Sequence, residues 1–254
     1  MAEPTRRIVV VLPAFNEEPN LADLLGRIDT ALTEVHLKYQ ILVMDDGSTD
    51  GTSAVATEWS EKIPVSVRRH DVNQGLGATL RDGLEWAKDV AGPNDGIVTM
   101  DADNSHTPEL IVRMVRMIRE GHDIVVASRF QAGSRVRGVP FSRRVLSRLA
   151  SWLFRAVFPI KGVKDYTSGY RAYKAGVLQD ALASDRNFFD QEGFQAMVDV
   201  LLKLRRDTAL ILGEEPLIMR YGHEAGESKM DVGATITNTL LLMLRRKFVR
   251  ADSS

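Results

Sequence analysis

Gly96-Ile97-Val98-Thr99-Met100-Asp101-Ala102-Asp103 is the stretch that decides the fold. A short apolar, β-branched run that stops on two carboxylates one residue apart reads as a buried strand delivering acids to a sheet edge. In an open α/β sheet, ligands bind outside the carboxyl ends of the strands. Residues i and i+2 of an extended chain point the same way. Asp101 and Asp103 are therefore placed to share one hard cation, and that cation to carry a diphosphate. An isolated Asp-x-Asp is more often a pair of solvated loop acids or a helix cap, so the neighbouring segments have to decide.

Outward from this run, strand-like and helix-like segments alternate. Residues 8–12, 40–44, Val65–Arg69, 97–100 and 123–128 read as strands. Residues 18–35 read as a helix, with Leu21, Leu24, Leu25, Ile28 and Leu32 at helical spacing. Thr52–Ser60, Leu76–Val90 and 108–120 read likewise. Asp50 or Thr49 is expected near the start of the Thr52–Ser60 helix, and Thr107 as the cap of a helix whose first turn holds Pro108. The alternation predicts an α/β fold: a Rossmann-like, mostly parallel sheet with helices on both faces. The second half is less regular. Helices are expected at 141–158, 191–204 and 232–249, and a strand within 210–219 broken at Glu214-Glu215-Pro216. No repeat, low-complexity tract or linker interrupts the chain. Residues 1–254 therefore read as one domain, with 232–250 as a C-terminal amphipathic helix.

The bulk numbers agree. Of 254 residues, 44% are hydrophobic and 26% charged, enough for a sizeable core in an ordinary soluble protein. The net charge of -1 supplies no global field for nucleic acid. With no cysteine there are neither disulfides nor thiolate metal sites, which fits a reducing compartment. The polar start runs straight into the first strand, so no signal peptide is expected, and no apolar run approaches the roughly 20 residues of a membrane span.

Three more segments carry chemistry. Pro13-Ala14-Phe15-Asn16-Glu17 follows the first strand, where a dinucleotide-binding unit would carry G-x-G-x-x-G; its absence argues against an NAD or FAD enzyme. A nucleoside can still lie across this loop, against the flat ring of Phe15 and the acceptor Glu17. Asp45-Asp46-Gly47-Ser48-Thr49-Asp50-Gly51-Thr52 ends the second strand, with carboxylates suited to base N–H groups, although Asp-Gly and Ser/Thr also build ordinary turns. Asn73-Gln74-Gly75-Leu76-Gly77 opens a helix whose start favours an anion.

In this order and spacing, the four segments resemble inverting glycosyltransferases of family 2. That resemblance implies a GT-A fold and a nucleotide-sugar donor. It places the nucleoside on Pro13, Ala14, Phe15, Glu17, Asp45 and Asp46, and Mg2+ or Mn2+ on Asp101 and Asp103. Further along come Ala127-Ser128-Arg129-Phe130, Arg143-Arg144-Val145-Leu146-Ser147, and Asp165-Tyr166-Thr167-Ser168-Gly169-Tyr170-Arg171-Ala172-Tyr173. Gly193-Phe194-Gln195 and Glu215-Pro216 follow, the latter leading through Arg220 to Gly226-Glu227-Ser228-Lys229. These resemble the dolichol- or polyprenyl-phosphate mannosyltransferase branch. The resemblance implies GDP-mannose as donor, UDP-sugars being the alternative, and a polyprenyl or dolichyl phosphate as acceptor. Arg129, Arg143 and Ser147 match positions that hold the lipid phosphate, and Arg220 and Lys229 match the segment on the donor diphosphate. Asp101, Asp103, Arg129 and Arg143 are then the expected catalytic residues.

One departure is evident. The branch often continues its acid motif with Leu and Gln or Ser; here Asn104-Ser105-His106 follows, so Ser105 is the candidate third metal ligand. His106 is expected to shape the loop after Asp103.

From Ile124 to Lys164 there are seven arginines, two lysines and no acid. Few aromatics lie among them, which disfavours nucleic acid. With Trp152, Leu153 and Phe154 the pattern suits a basic amphipathic helix at an anionic membrane surface. The expected location is cytoplasmic, peripheral at the cytoplasmic face of a membrane. The rival expectations are a family 2 enzyme with a hydroxyl acceptor, served by Glu192 or Asp199 as base, and a sugar-1-phosphate nucleotidyltransferase. A non-catalytic membrane-surface module is the third.

Overall fold

The structure of the protein is a computed structural model describing residues 7–137, 141–185, 188–191, 193 and 195–220, with main chain alone at 137, 141–147, 150 and 220. The first half runs β1 (Arg7–Ala14), α1 (Glu18–Thr33), β2 (Lys38–Asp45), α2 (Thr52–Ser60), β3 (Val65–Arg69), α3 (Leu76–Val90), β4 (Gly96–Thr99), α4 (Leu110–Arg119) and β5 (Ile124–Ser128). It continues with β6 (Arg135–Arg137), α5 (Phe141–Val157), β7 (Arg171–Lys174), α6 (Ala175–Ser184), α7 (Gln195–Leu204), β8 (Leu212–Pro216) and β9 (Ile218–Arg220).

Seven strands form one sheet in the order β3-β2-β1-β4-β7-β5-β8. All run in one direction except β7, which is antiparallel to both β4 and β5. The two faces can be read from β1. Ile8, Val10 and Leu12 pack with α1 and α4 on one side, while Val9 and Val11 pack with Leu84 of α3, Leu178 of α6 and Val200 of α7 on the other. Every residue from Ile8 to Leu12 is fully buried, as a strand covered on both faces requires. Leu21, Leu24, Leu25, Ile28 and Leu32 of α1 are likewise buried. Gly83 lets α3 lie close on β1, because a Cβ there would sit 2.6 Å from Val11 Cγ1.

The structure corrects four expectations. β7 was not expected, and it reverses direction inside the sheet. β8 passes straight through Glu214-Glu215-Pro216, since Glu214 Oε1 is occupied by the amides of Lys164 and Asp165 and Pro216 falls at the strand's end. Thr107 does not cap α4; its hydroxyl donates instead to the Ile218 carbonyl at 3.1 Å. The helix expected from 191 begins at Gln195. The C-terminal helix expected at 232–250 lies outside the described residues.

Candidate active site

The carboxyl ends of β1, β2, β4 and β5 share one edge. Because β7 runs the other way, the loop before it, residues 165–170, arrives at that same edge. One antiparallel strand thus brings a second-half loop beside the acids of the first half.

The loops after β1 and β2 are fastened to each other. Asn16, at φ 55, donates its amide to Ser48 Oγ at 2.9 Å and accepts the Thr49 amide on Oδ1 at 2.8 Å. Asparagine tolerates this left-handed backbone better than most residues. The Glu17 amide reaches Thr52 Oγ1 at 2.8 Å, and the Gly51 amide reaches Glu18 Oε2 at 2.7 Å. Pro13, Phe15 and Glu17 are half-buried along this seam and Ala14 is buried. Asp45 is fully buried, accepting the Ser48 amide at 2.9 Å and the Ser53 hydroxyl. Asp46 accepts the amides of Gln74 at 2.9 Å and Gly75 at 2.8 Å. The anion at the glycine-rich entry to α3 is therefore the chain's own carboxylate.

After β4 the backbone turns at Asn104, at φ 59, which ties the loop to α1: Arg27 donates to its Oδ1 at 2.7 Å, and its Nδ2 donates to Asp23 at 2.6 Å. Asp101 is open to solvent over 46% of its side chain. The protein packed around it nonetheless raises its carboxyl above the ordinary value; Asp103 and Glu17 add to this, while His106 and Arg129 oppose it. Asp103 accepts the Ser105 amide at 3.0 Å. His106 is buried against Tyr170, with ring centroids 5.1 Å apart and Nδ1 4.0 Å from Asp101 Oδ2.

A divalent cation fits this arrangement. Asp101, Asp103 and Glu17 crowd negative charge together, and the buried Ser105 Oγ and His106 Nδ1 have no hydrogen-bond partner. Among the described residues no three acids or histidines converge on one point, so donor phosphates and water would complete the shell.

On the far side, Arg129 forks onto buried Asp165 through Nε at 2.8 Å and a terminal nitrogen at 2.7 Å. The Arg129 amide reaches the same carboxylate at 3.0 Å. Burial works to raise the Asp165 carboxyl, but the Arg129 charge and its hydrogen bonds prevail and hold it below its ordinary value. Asp165 also takes the amides of Thr167 and Ser168, each at 3.2 Å, and so shapes the loop before β7. That loop brings Gly169 against Asp101: a first side-chain carbon there would lie 3.4 Å from Asp101 Oδ1. Nothing in the sequence around Asp165 marks this role. Its partner lies 36 residues away, and no local pattern marks the pair.

Arg143 and Ser147 lie on α5, and Arg220 ends β9. Their side chains, and all of Lys229, are outside the described residues. The main chain of β9 nevertheless approaches the acids, since Met219 bridges His106. Asp199, the candidate base for a hydroxyl acceptor, is buried on α7 with Lys203 Nζ at 3.4 Å; Glu192 is outside the described residues. On the outer face of α5, Leu149 and Trp152 are 58% and 64% exposed, between exposed Arg148 and Arg155. Phe154 and Phe158 belong to the core instead, and Leu153 is half-buried, so the apolar outer face is narrower than the sequence suggested.

Residues 9–182 match the family described as Glycosyl transferase family 2. The chain is 37% identical over 229 residues to the polyprenol monophosphomannose synthase of Mycolicibacterium smegmatis, covering 89% of this chain and 82% of that one. It is 33% identical to the undecaprenyl-phosphate mannosyltransferase of Micrococcus luteus, over 91% and 92% of the two chains. To the dolichol-phosphate mannosyltransferase of Pyrococcus furiosus it is 35% identical, over 78% of this chain and 53% of that longer one. Among solved structures, glucosyl-3-phosphoglycerate synthase from Mycobacterium tuberculosis, in complex with phosphoglyceric acid, superposes with a TM-score of 0.67 at 24% identity, over 95% of this chain and 80% of that one. The fold is the GT-A fold expected from the sequence.

Proposed function

Because this chain belongs to glycosyl transferase family 2 and is a glycosyltransferase, we propose that it moves mannose from GDP-mannose onto a polyprenyl or dolichyl phosphate, with inversion at the anomeric carbon. The observation that carries this is the Arg129 guanidinium, fixed by buried Asp165 near Asp101, in a chain 37% identical to a polyprenol monophosphomannose synthase.

A phosphate monoester is already ionised at neutral pH, its second pKa being about 6. It therefore needs no strong general base to attack the sugar. Asp199 supports this reading, because it is buried against Lys203 rather than presented to an acceptor. Arg129, with Arg143 and Ser147 from α5, positions the phosphate oxygen opposite the leaving nucleoside diphosphate. The loops holding Pro13, Ala14, Phe15, Glu17, Asp45 and Asp46 receive the nucleoside. Arg220 and Lys229 attend the diphosphate as its charge grows and the sugar becomes oxocarbenium-like. Asp101 and Asp103, with Ser105 beside them, would hold Mg2+ or Mn2+, which supplies charge stabilisation to the leaving group when bound.

The acceptor is a lipid, and no helix of the described residues is long and apolar enough to cross a membrane. We take the protein to work peripherally at the cytoplasmic face, docking through Leu149, Trp152, Arg148 and Arg155 of α5. The absence of cysteine fits that compartment. We read 1–254 as one GT-A domain, with 232–250 as an amphipathic helix aiding this contact. The test is a donor panel with a short polyprenyl phosphate, scored by mass spectrometry. GDP-mannose should give β-mannosyl phosphoryl polyprenol; lipid product from UDP-glucose alone would refute the donor assignment.

A further inference from the structure

Asp46 meets the entry of α3 through a third residue. His70 follows β3, is 8% exposed, and stands between two acids: Nδ1 lies 2.7 Å from Asp46 Oδ1 and Nε2 lies 2.9 Å from Asp82 Oδ2. An ionised carboxylate only accepts, so a ring facing one on each side satisfies both as an imidazolium. Arg81 Nε continues the line at 2.7 Å from Asp82 Oδ1. Charges thus alternate from Arg81 through Asp82 and His70 to Asp46, whose carboxylate fastens the Gln74 and Gly75 amides. The His70 amide is itself tied to the Asp45 carbonyl at 2.9 Å. Gly47 presses the two loops together: at φ +69, a Cβ on it would fall 2.5 Å from the Val72 carbonyl carbon. The neighbouring Arg69 is directed at the Ser48 carbonyl at 2.8 Å and at Asp45.

We infer that His70 is a positioning residue for the donor site: clamped between Asp46 and Asp82, it closes a clasp that holds the Asp45–Ser48 turn and the Gln74–Gly75 loop in the shape that receives the nucleotide. The inference rests on the reading that these loops take the donor. Burial works against the charged ring, but the hydrogen bonds and charges of Asp46 and Asp82 prevail and raise its pKa above the ordinary histidine value. A group with a raised folded pKa stabilises fully below its unfolded pKa and stops doing so as pH rises through the folded one. The clasp is therefore closed in mildly acidic solution and loosens as pH rises through the raised pKa of His70.

The test uses two readouts on the full chain. Nitrogen-15 NMR reports the protonation of His70, and calorimetry reports binding of GDP and of UDP, each with Mg2+, from about pH 6.5 to about pH 9. The ring should be doubly protonated at neutral pH. Nucleotide affinity should fall about tenfold as the ring titrates, the size of one lost charge-assisted hydrogen bond. His70→Gln should bind about tenfold more weakly, with a flat pH profile. Asp82→Asn, on the more open side of the clasp, should move the fall to lower pH. A neutral ring at neutral pH would overturn the clasp itself. A charged ring with parental affinity in His70→Gln would overturn its positioning role. If the parent bound neither nucleotide while NMR showed a charged His70, the donor reading would fail and this inference with it.

Discussion

On the proposed donor side of the ligand-facing edge, a buried aspartate is paired with a histidine; on the proposed acceptor side, a buried aspartate is paired with an arginine. Asp46 and Asp165 do similar work: besides its cation, Asp46 gathers two loop amides and Asp165 three. Their partners differ in kind. Histidine titrates near neutral pH, whereas arginine stays charged and offers a rigid fork. The two regions therefore fail in opposite directions. The His70 clasp is lost as pH rises through its raised folded value, while the contribution of Asp165 is present above its ordinary carboxyl pKa and lost as acid takes the pH through its lowered folded value. In the proposed roles, Arg129 gains from permanent charge because it would also attract an anionic acceptor, whereas His70 only shapes a loop and does not require it.

The largest effect is expected where the two regions meet. Asp103→Asn keeps the shape and the bond to the Ser105 amide but removes a charge from the Asp101–Asp103 pair. Transfer should fall on the order of a hundredfold or more, with the circular dichroism spectrum unchanged. Parental activity that persists in a chelator would break the metal assignment.

Next in size is the acceptor-side pair. Asp165→Ala strands the Arg129 fork and three amides, and should cost about 3 kcal/mol in urea unfolding. The variant should also lose less stability than the parent as pH falls into the acid range, because the group responsible is gone. A loss under about 1 kcal/mol, the scale of a surface pair, would mean the fork is not structural.

Smaller again is the outer face of α5. Arg148→Gln with Arg155→Gln should weaken sedimentation with anionic vesicles roughly thirtyfold at low salt, at about 1 kcal/mol for each arginine near the surface. The parent's binding should weaken as salt rises. Equal sedimentation of variant and parent would move the docking face elsewhere.

The two regions also differed in how far the sequence exposed them. The donor half was legible because β1, β2 and β4 carry buried apolar runs and α1 and α3 keep a regular buried stripe; α2, β3 and α3 occur at the expected residues. Its motif residues were visible, but not their partners. Asn16, Ser48, Thr49, Asp50 and Thr52 are spent largely on one another, and Asp46 on His70 and two amides. The acceptor half hid β7, a four-residue strand whose Arg171 is fully buried and donates to the carbonyls of Tyr166 and Met197. A charged residue in a short run gives no periodic signal. The break expected at Glu214-Glu215-Pro216 does not occur in β8, because the Glu214 carboxylate holds the loop leading to Asp165. Both misses are long-range pairings, which no local pattern encodes.

The division of labour across the edge is tested most directly by Arg129→Lys. Lysine leaves Asp165 a cation, so the buried acid is not stranded, but it lacks the fork. KM for polyprenyl phosphate in a transfer assay and Kd for GDP with Mg2+ would be measured on the same preparation. The expected result is a rise in the lipid-phosphate KM of about 10- to 30-fold, from weakened charge-assisted contacts, with GDP affinity unchanged. A collapse of GDP affinity with the lipid-phosphate KM unmoved would place Arg129 on the donor and contradict the account.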